Sequence, residues 1–242
     1  MRRFAKILLL GIAAFHLYTP SASADDLSVT LGLKARFNKL TANVSDSAVL
    51  FDGASDTAIL LGPSLKLAYK KLFVGVTWLQ TVQRRYALEY YNFAQNETRT
   101  ADMSVSEIDA LAGYMFHPRF GAFVGYKSIS SELTPIAISP TTSLIYSLVL
   151  KGPAIGVIGN VPLGKLPMLA VVSASYIAAT EYAFAPTDVD QKAAGYALEI
   201  GVTYDPFENT VFYLGLKLQQ YEADLGDEWK SLGLTISGDY RF

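Results

Sequence analysis

Lys230-Ser-Leu-Gly-Leu-Thr-Ile-Ser-Gly-Asp-Tyr-Arg-Phe242 decides the architecture. Leu232, Leu234, Ile236, Tyr240 and Phe242 fall on one face, while Ser231, Gly233, Thr235, Ser237, Asp239 and Arg241 fall on the other. A period of two over so many residues specifies a β-strand, because successive side chains point to opposite faces. A strand this apolar on one side has to bury that side in something.

The same rhythm recurs outward from this run. Leu27, Val29, Leu31, Leu33, Ala35 and Phe37 alternate with Ser28, Thr30, Gly32, Lys34, Arg36 and Asn38. Between these two strands the apolar sets Ile59–Tyr69, Val74–Trp78, Ile108–Phe116, Phe120–Tyr126, Leu144–Val157, 168–180, Tyr196–Tyr204 and Phe212–Leu218 behave likewise. Tight turns at 70–71, 117–119, 161–167 and 205–209 take turns with loops at 39–57, 87–103, 130–142, 183–192 and 222–229. The spacing predicts about ten strands near the 9–11 residues that a tilted membrane strand needs. The fold class is therefore all-β, an antiparallel up-and-down transmembrane β-barrel, with short periplasmic turns and longer extracellular loops.

The run at 230–242 resembles the closing strand of Gram-negative outer-membrane β-barrels, in which an alternating strand ends on a Phe that the barrel-assembly machinery reads. The resemblance implies an outer-membrane location, Tyr240 and Phe242 as the assembly signal, and lipid and lipopolysaccharide as surroundings.

Composition agrees with a sheet. The 242 residues are 51% hydrophobic with a mean hydropathy of +0.25, yet the longest apolar stretch after the N-terminus, 166–179, is broken by Pro167, Ser173 and Ser175. A membrane helix needs roughly 20 apolar residues. Arg2, Arg3 and Lys6, the apolar run 7–17 and Ala22-Ser23-Ala24 read as a secretory signal over 1–24, removed to leave a barrel domain of 25–242. The remaining 17 basic and 22 acidic residues give a charge of −5 with no basic stripe, which argues against nucleic acid. With no Cys there is neither a disulfide nor a thiolate metal site.

A soluble barrel would carry this alternation turned inside out. Its outer face would be dense in Lys and Glu, whereas the polar face here is mostly Gly, Ser, Thr and Ala with about one charge per strand, which suits a narrow lumen. Aromatics near strand ends read as two interfacial girdles. One comprises Tyr69, Phe73, Tyr114, Phe116, Phe120, Tyr204, Phe212, Tyr240 and Phe242, and the other Tyr86, Tyr126, Tyr146, Tyr176, Tyr182, Tyr196 and Tyr221.

The polar face assigns Lys34, Arg36, Lys66, Glu107, Asp109, Lys127, Lys151, Glu199 and Lys217 to the lumen. The hairpin arithmetic sets Asp109 against Lys127 and Glu199 against Lys217 as cross-strand ion pairs. In a low-dielectric bilayer such charges persist only if paired or wet. Either they are the packed interior of a closed barrel, or they line a porin-like constriction that passes a small anionic or apolar solute. Gly62-Pro63 and Gly152-Pro153 interrupt two strands, and since Pro removes a ladder hydrogen bond each reads either as a bulge or as a gap through which an apolar compound leaves sideways into the membrane.

Outer-membrane barrel enzymes place His with Asp or Ser at or above the outer rim. Here His16 leaves with the signal and His117 sits in a short turn, so no catalytic residue is assigned and no enzyme is expected. No cofactor is expected, and Asp224, Asp227 and Glu228 lack the spacing of an EF-hand loop, so no metal is assigned. The alternative to transport is a binding or adhesion protein acting through its outer loops, one carrying Tyr86, Tyr90, Tyr91 and Phe93 and another Tyr182 and Phe184.

Overall fold

The computed structural model describes residues 27–45, 49–82, 87–93, 96–133, 136–139, 142–144, 147–184, 191–224 and 226–242. The expected signal at 1–24, Tyr86 and Tyr146 lie outside them. The elements are β1 (Leu27–Ser45), β2 (Val49–Ala54), β3 (Ala58–Tyr69), β4 (Leu72–Thr81), β5 (Ala87–Asn92), β6 (Glu97–His117) and β7 (Phe120–Leu133). They continue as β8 (Ile136–Ser139), β9 (Thr142–Leu144), β10 (Ser147–Pro162), β11 (Met168–Phe184), β12 (Gln191–Phe207), β13 (Thr210–Ala223) and β14 (Glu228–Arg241). Apart from a small β8–β9 hairpin, all belong to one antiparallel sheet that closes on itself where β14 pairs with β1, from Thr30↔Arg241 to Asn43↔Glu228. Closure leaves no edge strand, the condition for placing a sheet in hydrocarbon.

The wall has ten positions, because β2 stacks on β3 and β5 on β4. β2 and β3 are one strand interrupted at 55–57. There the buried Ser55 hydroxyl accepts from the Leu40 N–H at 3.0 Å and donates to the Leu40 carbonyl at 3.1 Å, satisfying backbone groups that the interruption frees. Above this step β2 pairs with both β1 and β5, and β5 with β6, so the wall stays closed.

Side-chain direction changes character along the strands. Over Leu27–Phe37 of β1 the outward residues are apolar and exposed, and the same holds for Leu232–Phe242 at β14; Leu33 is 57% exposed, Ile155 62% and Val124 61%. Burying one such side chain is worth about 1.5–3 kcal/mol. A belt of dozens facing water would outweigh the ~5–15 kcal/mol stability of a typical domain, so this surface lies in lipid. At ~3.3 Å per residue and a tilt of ~40°, the 11-residue outward run 27–37 spans about 25 Å, the height of a membrane barrel's apolar band.

Beyond Phe37 the pattern inverts. Lys39, Thr41 and Asn43 point outward and are exposed, whereas Ala42 and Val44 point inward and are buried. The other long strands do the same, with Leu88, Met103, Leu148, Leu150, Tyr221 and Trp229 turned inward and Glu89, Ser104, Glu132, Glu222 and Lys230 outward. Much of what the sequence reads as loop at 39–57, 87–103, 130–142 and 222–229 is thus strand, forming a collar about 20 Å tall with its own apolar core. The strands reach 21 residues in β6, about double the expected length.

The register also corrects smaller expectations. Gly152-Pro153 does coincide with a register shift between β10 and β11, but pairing on both sides of Gly62-Pro63 keeps its register, so no bulge forms there. Pro63 points outward, where its missing N–H interrupts only the ladder to β4. Tyr221 sits in the collar core at 4% exposure instead of in a girdle, and Phe73 faces the lumen. Tyr69, Tyr114, Tyr204, Phe212 and Tyr240 ring the short-turn end on the outer surface.

Candidate functional site: the lumen

Three layers fill the bore in succession. Uppermost is the collar core. Below it lies a belt of ionic side chains supplied by β1, β6, β7 and β13. Arg36 Nη1 donates to Glu107 Oε2 at 2.7 Å, and Lys127 Nζ bridges Glu107 Oε1 at 2.7 Å and Asp109 Oδ1 at 2.6 Å. Lys217 Nζ reaches across the bore to Asp109 Oδ2 at 2.8 Å and Glu107 Oε1 at 3.4 Å. Arg36, Glu107, Lys127 and Lys217 are all buried, Arg36 at 1% exposure. Three cations thus hold two carboxylates, with Arg36 Nε also donating to Thr235 Oγ1 at 3.4 Å. Buried charges are tolerated when every one is paired in this way.

Below the belt are Lys34, Lys66, Glu199 and Asp239. Lys66 Nζ lies 2.7 Å from Asp239 Oδ2, Ser64 Oγ donates to Asp239 Oδ1 at 3.3 Å, and the Tyr213 hydroxyl donates to Glu199 Oε1 at 2.8 Å. A cavity of about 860 Å³ extends from here to the short-turn rim.

Of the residues assigned to the lumen, Lys34, Arg36, Lys66, Glu107, Asp109, Lys127, Glu199 and Lys217 are placed there. Lys151 is not: in register with Ser128 and Glu181, it takes the outward face just above belt level, because its neighbours Leu150 and Gly152 hold the inward positions. Asp109 and Lys127 sit opposite each other and bond. Glu199 and Lys217 are also opposite in register, yet their side chains part, Lys217 crossing the bore and Glu199 taking the Tyr213 hydroxyl.

Asp239 and Tyr213 are lumen residues that the strand pattern alone did not single out. Their signal is the glycine beside each. A Cβ at Gly32 would lie 1.7 Å from Asp239 Oδ1, one at Gly215 2.1 Å from the Tyr213 hydroxyl oxygen, and one at Gly233 2.8 Å from Arg36 Cδ. Gly32 and Gly233 are slots for a neighbouring strand's side chain, and Gly215 for one from two residues earlier on its own strand.

His117 is exposed at the end of β6, where Nδ1 accepts the Arg119 N–H at 3.2 Å. Among the described residues no group of three His, Cys, Asp or Glu side chains could hold a metal ion.

No family model and no curated protein matches the sequence. The fold has solved counterparts. The outer membrane protease OmpT from Escherichia coli is 12% identical with a TM-score of 0.56, over 93% of this chain and 98% of that one. Neisserial surface protein A is 11% identical (TM-score 0.43, 88% and 97% coverage). The transport unit of the autotransporter AIDA-I from Escherichia coli is 8% identical (TM-score 0.42, 98% and 96% coverage). At such identities the likeness is one of fold, that of the outer-membrane β-barrels.

Proposed function

We propose that the protein is a closed outer-membrane barrel that works through the collar it raises above the outer leaflet, as a surface binding or adhesion protein and not as a pore. The observation that carries this reading is the apolar core inside the collar. Val44, Leu88, Met103 and Trp229 are each at most 2% exposed, and with the paired belt beneath them they pack the bore among the described residues. Dry apolar packing stacked on satisfied ion pairs is the filling of a closed barrel, whereas a channel keeps its ionic groups wet.

The collar would offer partners a rigid surface with aromatic contacts at the β5–β6 tip. There Tyr91 and Phe93 meet edge to face with centroids 5.4 Å apart, and Phe93 is half exposed. Lipid and lipopolysaccharide would surround the apolar belt and collar base, and the assembly machinery would read Tyr240 and Phe242. This role requires no catalytic group.

Planar-bilayer recording of the refolded protein tests the closed state. No discrete openings are expected, and reproducible unitary steps would overturn it. Cells displaying the Tyr91→Ser, Phe93→Ser variant should adhere several-fold less than wild type at equal surface level, and unchanged adherence would remove the tip from the binding surface.

A further inference from the structure

The cavity beneath the belt is a constructed space. Its walls carry three aromatic rings that could have crossed the axis and do not. Phe73 lies over Gly113, where a Cβ would stand 2.2 Å from its Cζ, and Phe123 lies over Gly156 at 2.4 Å. Tyr213 runs up the wall over Gly215 and Gly201 to reach Glu199. In each case a glycine on the strand accepts the ring flat against the sheet. The bore stays open from rim residues Ser28, Ala68 and Thr203 to Lys34, Asp109 and Lys217. A volume of about 860 Å³ lies within the range of small-molecule pockets.

The chemistry of the walls is divided. Phe73, Leu111, Phe123, Ile158 and Val171 make them largely apolar. At the inner end the charges are unevenly matched. Every carboxylate facing the belt and cavity has a partner: Glu107 and Asp109 in the belt, Glu199 on Tyr213, Asp239 on Lys66. Among the described residues Lys34 has no hydrogen bond or ion pair, and it lines the cavity just below Arg36. Glu199 faces Lys34 as an opposite charge, so five cations (Lys34, Arg36, Lys66, Lys127 and Lys217) stand against four carboxylates (Glu107, Asp109, Glu199 and Asp239), and the excess is one positive charge at the closed end of an apolar vestibule. From Ser28 to Lys34 the vestibule is roughly 15 Å deep, taking ~3.3 Å per residue and a ~40° tilt.

We propose that this vestibule is a binding site, entered from the periplasmic side, for an amphipathic organic monoanion with an acyl chain of medium length. The carboxylate meets Lys34, and the apolar body lies against Phe73, Leu111, Phe123 and Ile158. The site is independent of the collar and dead-ended by it, so binding without conductance is the expected combination. Channel openings would therefore count against the closed barrel and not against this site.

The experiment is calorimetric titration of the full mature barrel in lipid nanodiscs with octanoate, octanol and octylammonium, subtracting empty nanodiscs. Octanoate should saturate a single site and bind at least about tenfold tighter than the other two, the size of a charge-assisted hydrogen bond. Lys34→Met should bring octanoate down to the level of octanol and leave octanol unchanged; Lys34→Gln serves the same purpose should the Met variant fail to fold. Ala154→Trp, which fills the cavity from β10, should abolish saturable binding of all three, with heat-modifiable gel mobility as the check on folding. Equal affinity for octanol or octylammonium, unchanged octanoate affinity in both Lys34 variants, or no saturable octanoate binding overturns the proposal.

Discussion

Arg36 shows what a single position in this lumen must satisfy. It is 1% exposed, donates to Glu107 at 2.7 Å, and fits only because β14 carries glycine at 233, where a Cβ would stand 2.8 Å from both Cγ and Cδ of the arginine. Gly233→Val should therefore destabilise the barrel by about 1–3 kcal/mol through overpacking, as measured by urea unfolding in lipid vesicles. Glu107→Gln should be worse, by about 3–5 kcal/mol, because it leaves Arg36 and Lys127 buried with reduced pairing. An Arg36–Glu107 double-mutant cycle should show a coupling of about 1 kcal/mol or more. A coupling near zero would mean that the belt is solvated and the bore open. The charges were legible in the sequence because they stand alone on a polar face. Their partners were less so: Asp109 and Lys127 follow from hairpin spacing, but the reach of Lys217 across the bore depends on the barrel's diameter, which no single hairpin specifies. The outward position of Lys151 is not legible in the sequence, because the continuous apolar run around Leu148 and Leu150 leaves open which face of β10 is inward.

At the scale of the element, a long strand here is two strands in series with opposite faces to the core. In β1, Leu27–Phe37 sends apolar residues outward, whereas Leu40, Ala42 and Val44 point inward. The alternation in Asn38-Lys-Leu-Thr-Ala-Asn-Val-Ser45 is as regular as in the membrane half, but its phase is reversed, and a search for outward apolar residues reads it as loop. The membrane strands and tight turns are legible because hydrocarbon imposes a strict pattern, while the collar's wet outer face imposes only polarity. Since the chain has no native Cys, the reversal can be mapped by single substitutions. Thr41→Cys and Lys230→Cys should react with a membrane-impermeant maleimide on intact cells, and Leu33→Cys and Leu234→Cys should not. Protection at Thr41 and Lys230 would place the collar inside the membrane.

For the molecule as a whole, one closed sheet serves three media: water around the collar, lipid around the belt, and its own packed interior. Both outer surfaces belong to the same continuous strands, so neither half can shift along the membrane normal without the other. Sinking by one pair of residues would drag Lys39, Thr41 and Asn43 towards hydrocarbon; rising by the same amount would lift the aromatic ring of Tyr69, Tyr114 and Tyr240 out of its interface. The phase change is thus a waterline written into the wall, and it makes the barrel selective for bilayer thickness. Insertion into vesicles of graded acyl length should peak where the hydrocarbon is about 25 Å thick and fall off on both sides.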